Sequence, residues 1–543
     1  MFLDTKTKIL CWVVATWINH TCAQVVPVTG MTTGMDPVTG QPPSRLDIHV
    51  LEDTGGPLWD LFIRGLDALQ AMPAEDPQSH FAVAGIHGMP FEPYNGVGPV
   101  LGGSGAGYCP HGQKQFIAWH RPYLALYEQV LGAQIQRLSL EYNGTDASAY
   151  QAASQTFRLP YWDWASNPSL PHSAVQENVT VNGPKGPITL HSPLYDYRWQ
   201  QYPLNATQFP GYGTFGPTTT RNGSNGFDPD IVNSALSAAA HTIQDSVYRT
   251  FISSTTYDQM ASMADSGSSL ESPHNLIHNL IGGSYLDLDI TSFDSLFMLH
   301  HCNLDRLAAI WTAVRPNNTY QMIPAASGGL YSTAKGEIIT ADSPLKPFYQ
   351  ADGVTFHTGL TVATTEAFGY TYPDLVALNH GNGRDILIQK INELYGSTYV
   401  QPQIGAKASI QESEWLVDVQ VQRGDLPLPC HINVYLSEHL VQSIILLNMP
   451  KQGIAHNEIP LRRFVNLLYG HLDDPAVVER EIKKDLYARV VEAGGTEFDP
   501  DTISSLKVEL AKQDVTHPET AYEFPLLGNK TTLANVFVRY KSD

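Results

Sequence analysis

Cysteine is scarce: the 543 residues hold five, too few for a scaffold built on disulfides, which excludes that class of secreted module. Basic residues are also few. Lys plus Arg number 32 against 53 Asp plus Glu, a net charge of −21, which argues against a nucleic-acid or anionic-membrane partner and points to a small or neutral one. Long hydrophobic runs are missing too. The mostly apolar stretch from Ile9 to Ile18 is too short to cross a bilayer core of ~30 Å, which weighs against a membrane anchor. No internal repeat and no low-complexity tract stands out, so a repeat array is set aside.

What is present at the N-terminus is ordered like a secretory signal: Lys6 and Lys8, the apolar run, then Thr21-Cys22-Ala23 before Gln24. A signal over residues 1–23 is therefore predicted. Its removal takes Cys11 and Cys22 and leaves Cys109, Cys302 and Cys430. That number is odd, so at least one thiol needs a use other than a disulfide. Asn-x-Ser/Thr acceptors at Asn143, Asn178, Asn205, Asn222, Asn317 and Asn529 fit a secreted, N-glycosylated chain.

An apolar content of 43% over this length builds a large core and at least two folded units. Helical spacing of apolar residues runs through Leu58 to Met72, Phe116 to Leu140 and Pro229 to Phe251, whereas long strand alternation is missing from the first two thirds. Stretches rich in Gly, Pro, Ser and Asn, such as Asn167 to Ser224, read as ordered surface loops. After Tyr395 the texture changes: Trp415 to Gln422, His431 to Leu436, Ile444 to Leu447 and Val536 to Tyr540 alternate or cluster β-branched residues. The expected fold is mainly α over 24–395, a central helical bundle with long ordered loops. A linker over 396–410 and a smaller β-rich C-terminal domain over 411–543 follow.

Histidines carry the chemistry. In SPHNLIHNLIGG, Ser272 suits an N-cap and Pro273 the first helical position. His274 and His278, at i and i+4, then share one face of a helix and can share one metal. Such a pair alone also fits an ordinary helix surface. It is joined by His300-His301 in DSLFMLHHCNLDR, with Asp305 one turn beyond His301, and by an upstream group of His87, His111 and His120. Two sets of three imidazoles without carboxylates suit copper, zinc, iron or nickel and disfavour magnesium and calcium. A hydrolytic zinc pair stays open on residue chemistry alone.

With those spacings, with LPYWDWA at Leu159 to Ala165 and with YTYP at Tyr370 to Pro373, the chain resembles the type 3 copper proteins. It is most similar to secreted fungal tyrosinases and catechol oxidases, the polyphenol oxidases. The resemblance implies two copper ions in one dinuclear site, the first on His87, His111 and His120, the second on His274, His278 and His301, with His300 beside them. It implies O2 as co-substrate, phenols or catechols as substrates, and a thioether between Cys109 and His111 in the Cys-Pro-His stretch. Phe297 is expected to pack on an imidazole of the second copper, although Ser295 stands where relatives carry proline. Glu271 and Asn275 match the glutamate and asparagine that hold a proton-accepting water, against the plainer use of Glu271 as a helix N-terminal charge. Asn279 is placed at the mouth, with the loop from Leu286 to Phe293 on the pocket rim. Arg45 is expected to tie down the Tyr-x-Tyr end, and Cys302 and Cys430 to serve as small buried hydrophobes. The C-terminal domain implies a latent precursor and an activating protease. The alternative from another class is a dioxygen carrier on the same copper pair without turnover.

Overall fold

In a computed structural model, residues 25–539 are described apart from 224–226, 319–321, 377, 379–380, 397–410 and 493. The expected signal over 1–23 and nearly all of the expected linker lie outside the described residues. The first region is helical. Helices α1 (Pro57–Gln70), α2 (Phe116–Ser139), α3 (Pro229–Ser253), α4 (Glu271–Ile281), α5 (Leu296–Val314) and α6 (Gly383–Tyr395) form the bundle. Helix α2 is its axis: Phe116, Ile117, Trp119, Tyr123, Leu124, Tyr127, Leu131 and Ile135 are all buried, so it is apolar nearly all round, as a helix enclosed by others must be. It packs on α1 and α5, and α3 packs on α4 and α6.

The sequence expectations for α1, α2 and α3 match these bounds to within two residues. Two details differ. Helix α4 starts at Glu271 with Leu270 in the cap position, so Ser272 is not the N-cap. Its hydroxyl instead accepts from Asn457 Nδ2 at 2.8 Å. Pro273 is tolerated because N–H groups of a first turn have no helical partner. The stretch from Asn167 to Ser224, expected as loop, contains a helical turn, His172–Val175, and an antiparallel hairpin, Asn178–Gly183 with Gly186–His191. The hairpin's strands are six residues each inside a stretch rich in Gly, Pro, Ser and Asn, so their alternation is passed over, and it leans on α1 where Asp60 Oδ1 accepts from Asn182 N at 2.9 Å.

A buried charge lock closes the bundle. Arg45 is fully buried; its Nε donates to Glu128 at 2.9 Å, its Nη1 to the Tyr372 hydroxyl at 3.1 Å, and its guanidinium lies 3.5 Å from the centre of the Tyr370 ring. The hydroxyls of Tyr370 and Tyr372 donate to Asp305 Oδ2 at 2.6 and 2.7 Å, and Arg121 Nε to Asp305 Oδ1 at 2.7 Å. Burial alone raises the Asp305 carboxyl, but Arg121, Arg45 and these hydroxyls outweigh it and hold it below the ordinary range. Asp305 sits one turn beyond His301, so the lock sets the rotation of α5. Replacing Tyr370 by Phe removes one of these bonds and is expected to cost about 1–2 kcal/mol, read as a lower melting temperature of the full chain with an unchanged helical spectrum.

The C-terminal region is a two-sheet sandwich. Its strands are β1 (Gln411–Gln422), β2 (Cys430–Leu436), β3 (His439–Leu446), β4 (Ile454–Pro460), β5 (Leu486–Glu492), β6 (Glu497–Phe498), β7 (Lys507–Thr516), β8 (Leu526–Asn535) and β9 (Phe537–Val538). One sheet has the order β4-β1-β7-β8; the other has β6-β5-β2-β3, with β9 parallel to β5. Strand β2 alternates buried and half-buried residues along its length. Val417 and Val419 of one sheet share a core with Ile432, Val434 and Ile444 of the other. Helices α7 (Arg462–Tyr469) and α8 (Pro475–Asp485), absent from the sequence expectations although both are amphipathic, cover it with Val465 and Ile482.

The sandwich is docked on the bundle by buried groups. Arg249 of α3 donates from Nε to Glu458 of β4 at 2.6 Å, from Nη1 to Glu414 of β1 at 2.9 Å and from Nη2 to Gln513 of β7 at 2.6 Å. Asn392 of α6 donates to the carbonyls of Ala521 and Glu523 at 2.8 and 3.0 Å. Strand β3 lies on α4, and the loop that follows it, Leu447 to Gly453, reaches the histidines described next.

Candidate metal centre

Two sets of buried metal-ligating side chains converge. His87, Cys109, His111 and His120 form one and His274, His278, His300 and His301 the other, with the potential ligand atoms in each set within 4.8 Å of one another. Five elements supply the rings: the turn after the helical segment His80–Ala84, the loop before α2, α2 itself, α4 and α5. The i, i+4 spacing on α4 brings His274 and His278 to 3.1 Å between their Nε2 atoms. His301 Nε2 comes to 3.2 Å from His274 Nε2, and His111 Nε2 to 3.3 Å from His87 Nε2. The sets adjoin: the rings of His120 and His301 stack at 4.1 Å, and those of His111 and His274 lie 5.4 Å apart.

The proton positions follow from the partners. His87 Nδ1 faces the Leu288 carbonyl at 3.2 Å, His120 Nδ1 the Phe116 carbonyl at 2.7 Å and His278 Nδ1 the Tyr285 carbonyl at 2.6 Å. A carbonyl only accepts, so each Nδ1 carries the hydrogen and each Nε2 a bare lone pair. His274 Nδ1 faces Asn275 Oδ1 at 2.8 Å with the same result. Burial, reinforced in the tightest part of the cluster by neighbouring imidazoles, keeps the rings neutral: His120 is lowered to about 3, His278 to about 4, and His87, His111, His274 and His301 well below their ordinary value. Neutral rings whose lone pairs face each other at 3.1 Å repel. A cation between them removes the repulsion, so the donor chemistry fits a metal, and imidazoles without a carboxylate fit copper.

The other residues singled out in the sequence fall around this centre. Phe297 packs on both sets, its ring 4.2 Å from that of His301 and 4.9 Å from that of His87. Cys109 is a buried free thiol with Sγ 3.4 Å from His120 Nε2; Cys302 and Cys430 are buried free thiols too. His300 stacks on His274 at 4.9 Å, and neither of its ring nitrogens has a hydrogen bond. Asn279 is half-buried on α4. The Glu271 carboxylate accepts from Gly112 N at 2.5 Å, Ser262 Oγ at 2.7 Å and Met263 N at 2.9 Å, stapling α4 to the loop that carries His111. Burial nevertheless leaves its carboxyl above the ordinary value.

Sequence reasoning expected a covering C-terminal domain but named none of the residues that form the cover. Arg423, buried beside β1, donates to the carbonyls of Pro450 and Leu447 at 2.7 Å and of Met449 at 3.1 Å, which fixes the loop after β3. Pro450 rests on Gly112, next to His111: Gly112 has φ +61° and a Cβ there would come 3.0 Å from the proline. Met449 packs against the core of the bundle. An arginine satisfied by backbone carbonyls leaves no pairing signal in a sequence.

The comparisons with known proteins agree with this geometry. The family described as "common central domain of tyrosinase" matches residues 77–314. A tyrosinase of Podospora anserina is 33% identical over 403 residues, 68% of this chain and 69% of that protein. The chain belongs to the tyrosinase family. A solved structure of recombinant mushroom tyrosinase matches with TM-score 0.82 at 23% identity, covering 95% of this chain and all of that one. An Aspergillus oryzae pro-tyrosinase variant matches with TM-score 0.74 at 22% identity, covering 96% and 99%. Both matches include the C-terminal sandwich, so the two-domain fold is that of the tyrosinase structures. As a tyrosinase-family enzyme the chain is a dicopper oxidoreductase with O2 as co-substrate.

Proposed function

We propose that this chain is a secreted copper phenol oxidase that oxidises o-diphenols to o-quinones and ortho-hydroxylates monophenols, and that it is made as a latent precursor. The observation that carries the reading is the pair of adjoining imidazole sets with their Nε2 lone pairs turned inward. His87, His111 and His120 would hold one copper, and His274, His278 and His301 the other. His301 is preferred to His300 because its ring lies between the sets, stacked on His120. When bound, the copper pair supplies the O2 binding and the two-electron exchange that side chains lack.

The chain's own groups do the rest. Phe297 fixes the faces of His87 and His301, and the Nδ1 hydrogen bonds fix the ring tautomers. Glu271, whose Oε1 lies 3.9 Å from His111 Nδ1 and whose carboxyl is raised by burial, would hold with Asn275 a water that accepts a phenolic proton. The plainer role, a negative charge at a helix N-terminus, is met as well, since Glu271 is the first residue of α4. The buried Cys109 thiol is the partner expected for a thioether to His111, which would lock that ring. Latency is supported by the loop from Leu447 to Gly453, with Met449 against the bundle core and Pro450 over Gly112. The similar Aspergillus oryzae structure is that of a pro-tyrosinase, which supports the same reading.

Oxygen uptake by the copper-loaded chain, before and after limited proteolysis, tests this with a monophenol and then its catechol. Quinone formation that rises at least tenfold on trimming is expected. Equal rates for the intact chain and for the trimmed chain separated from its sandwich would end the latency reading, and reversible O2 binding without quinone would favour a carrier. Among the described residues no helix is long and apolar enough to cross a membrane. Secretion predicts glycans at the exposed Asn143, Asn178, Asn205, Asn317 and Asn529. It predicts none at Asn222, whose amide nitrogen donates to the Leu280 carbonyl at 3.3 Å and whose side chain fills the space beside Gly282. Peptide mass mapping before and after deglycosylation reads this directly.

A further inference from the structure

We infer that Asn275 is a positioning residue that couples the C-terminal domain to a copper ligand: the Ile445 carbonyl of β3 orients the Asn275 amide, and that amide sets the proton on His274. The inference rests on His274 being a ligand of the second copper. Asn275 is buried between α4 and β3, 3% exposed. Its Nδ2 donates to the Ile445 carbonyl at 3.1 Å, with Met263 Sδ at 3.5 Å, and its Oδ1 lies 2.8 Å from His274 Nδ1. A carboxamide has one donating and one accepting end. With a carbonyl against one end, that end is the nitrogen, and the other presents an oxygen to the imidazole. The oxygen holds the hydrogen on Nδ1 and leaves Nε2 bare for metal.

His87, His120 and His278 receive the same service from backbone carbonyls of the bundle, which cannot turn over. His274 depends on a side chain that can, and the group that stops it belongs to the other domain. Docking of the sandwich therefore does more than cover the pocket. It fixes the tautomer of one imidazole, and its departure releases the amide to rotate.

Copper loss to a chelator, measured on copper-loaded intact and trimmed chains, tests the coupling without reference to turnover. The trimmed wild type is expected to release its second copper about tenfold faster than the intact chain. Asn275→Leu keeps the branched shape but offers no acceptor, and should speed that release by about 10–100-fold over the intact wild type in both forms. Asn275→Asp accepts from His274 but cannot donate to Ile445. With an acceptor at either end it has no wrong orientation, so it should release copper as slowly as the intact wild type in both forms and lose the difference between intact and trimmed chains. Retention of the first copper, held by His87, His111 and His120, shows in each variant that the fold is intact. If Asn275→Leu and Asn275→Asp release copper alike in the trimmed form, the residue is packing only and the coupling is overturned. A wild-type chain that bound no copper would remove the ligand assignment and this inference together; one that bound two, with those variants alike, removes the inference alone.

Discussion

Replacing His301 by alanine is expected to leave one copper per chain in place of two and to reduce catechol oxidation to below about a thousandth of the wild-type rate. Replacing the adjacent His300 should leave both ions bound and cost no more than about tenfold to a hundredfold. The contrast follows from geometry. His301 Nε2 stands 3.2 Å from His274 Nε2 and its ring stacks on His120 across the site, whereas His300 stacks on the back of His274 and lies 5.7 Å from the Trp164 ring. Metal analysis and rates on both variants decide it. Two coppers retained by the His301 variant, with loss in the His300 variant, would reverse the assignment.

The second large effect is expected at the domain seam. Replacing Arg249 by methionine takes the guanidinium away from two carboxylates that are 0% and 5% exposed, a change that costs on the order of 3–5 kcal/mol when a buried pair is broken. Undocking should absorb that cost, so the intact variant should oxidise catechol without proteolysis. An intact Arg249→Met chain that is folded and as silent as the wild type would show that Arg249 is not the latch. Acid should act on the same place. Burial pushes the Glu458 carboxyl up, but Arg249 and Lys530 prevail and bring it down from 4.5 to about 2. Its folded value is depressed, so its contribution is complete above the unfolded value of about 4.5 and is lost as the pH falls through about 2. Asp418, which shares Lys530, is raised by burial and by Glu458 and takes up its proton first. Catechol oxidation by the intact chain, assayed at neutral pH just after exposure to a series of acid steps, should switch on within that window and not above it.

How much of this was legible in the sequence depends on whether a feature leaves a local pattern. His274 and His278 did, because a four-residue step is a helical spacing, and so did the Asp305 turn beyond His301; His87, His111 and His120 stood out as an upstream group and became ligands only through the family resemblance. Helices α1 to α3 did, through apolar periodicity. The hairpin from Asn178 to His191 was passed over although its residues alternate, because its two strands are only six residues each and lie among Gly, Pro, Ser and Asn. Ser272 looked like a cap because its residue type favours one, while the chain before it had already turned: Leu270 N donates to the Met260 carbonyl at 2.8 Å. The domain seam was least legible. The Ile445 carbonyl that meets Asn275 is backbone, which every residue carries. Arg249 did leave a trace, a cation beside Val247, Tyr248 and Phe251 on a helix with buried turns, but only the tertiary fold names Glu414 and Glu458 as its partners.

The docking contacts of Arg249, Asn392 and Asn275 do not pass through the chain between the two domains, so cutting that connection and separating the pieces are distinct events. Once cut, the sandwich becomes an independent molecule whose association with the bundle obeys a dissociation constant, and the fraction released grows as the solution is diluted. Nicked protein held concentrated would stay quiet, and the same sample spread thin would wake after a lag set by the off-rate.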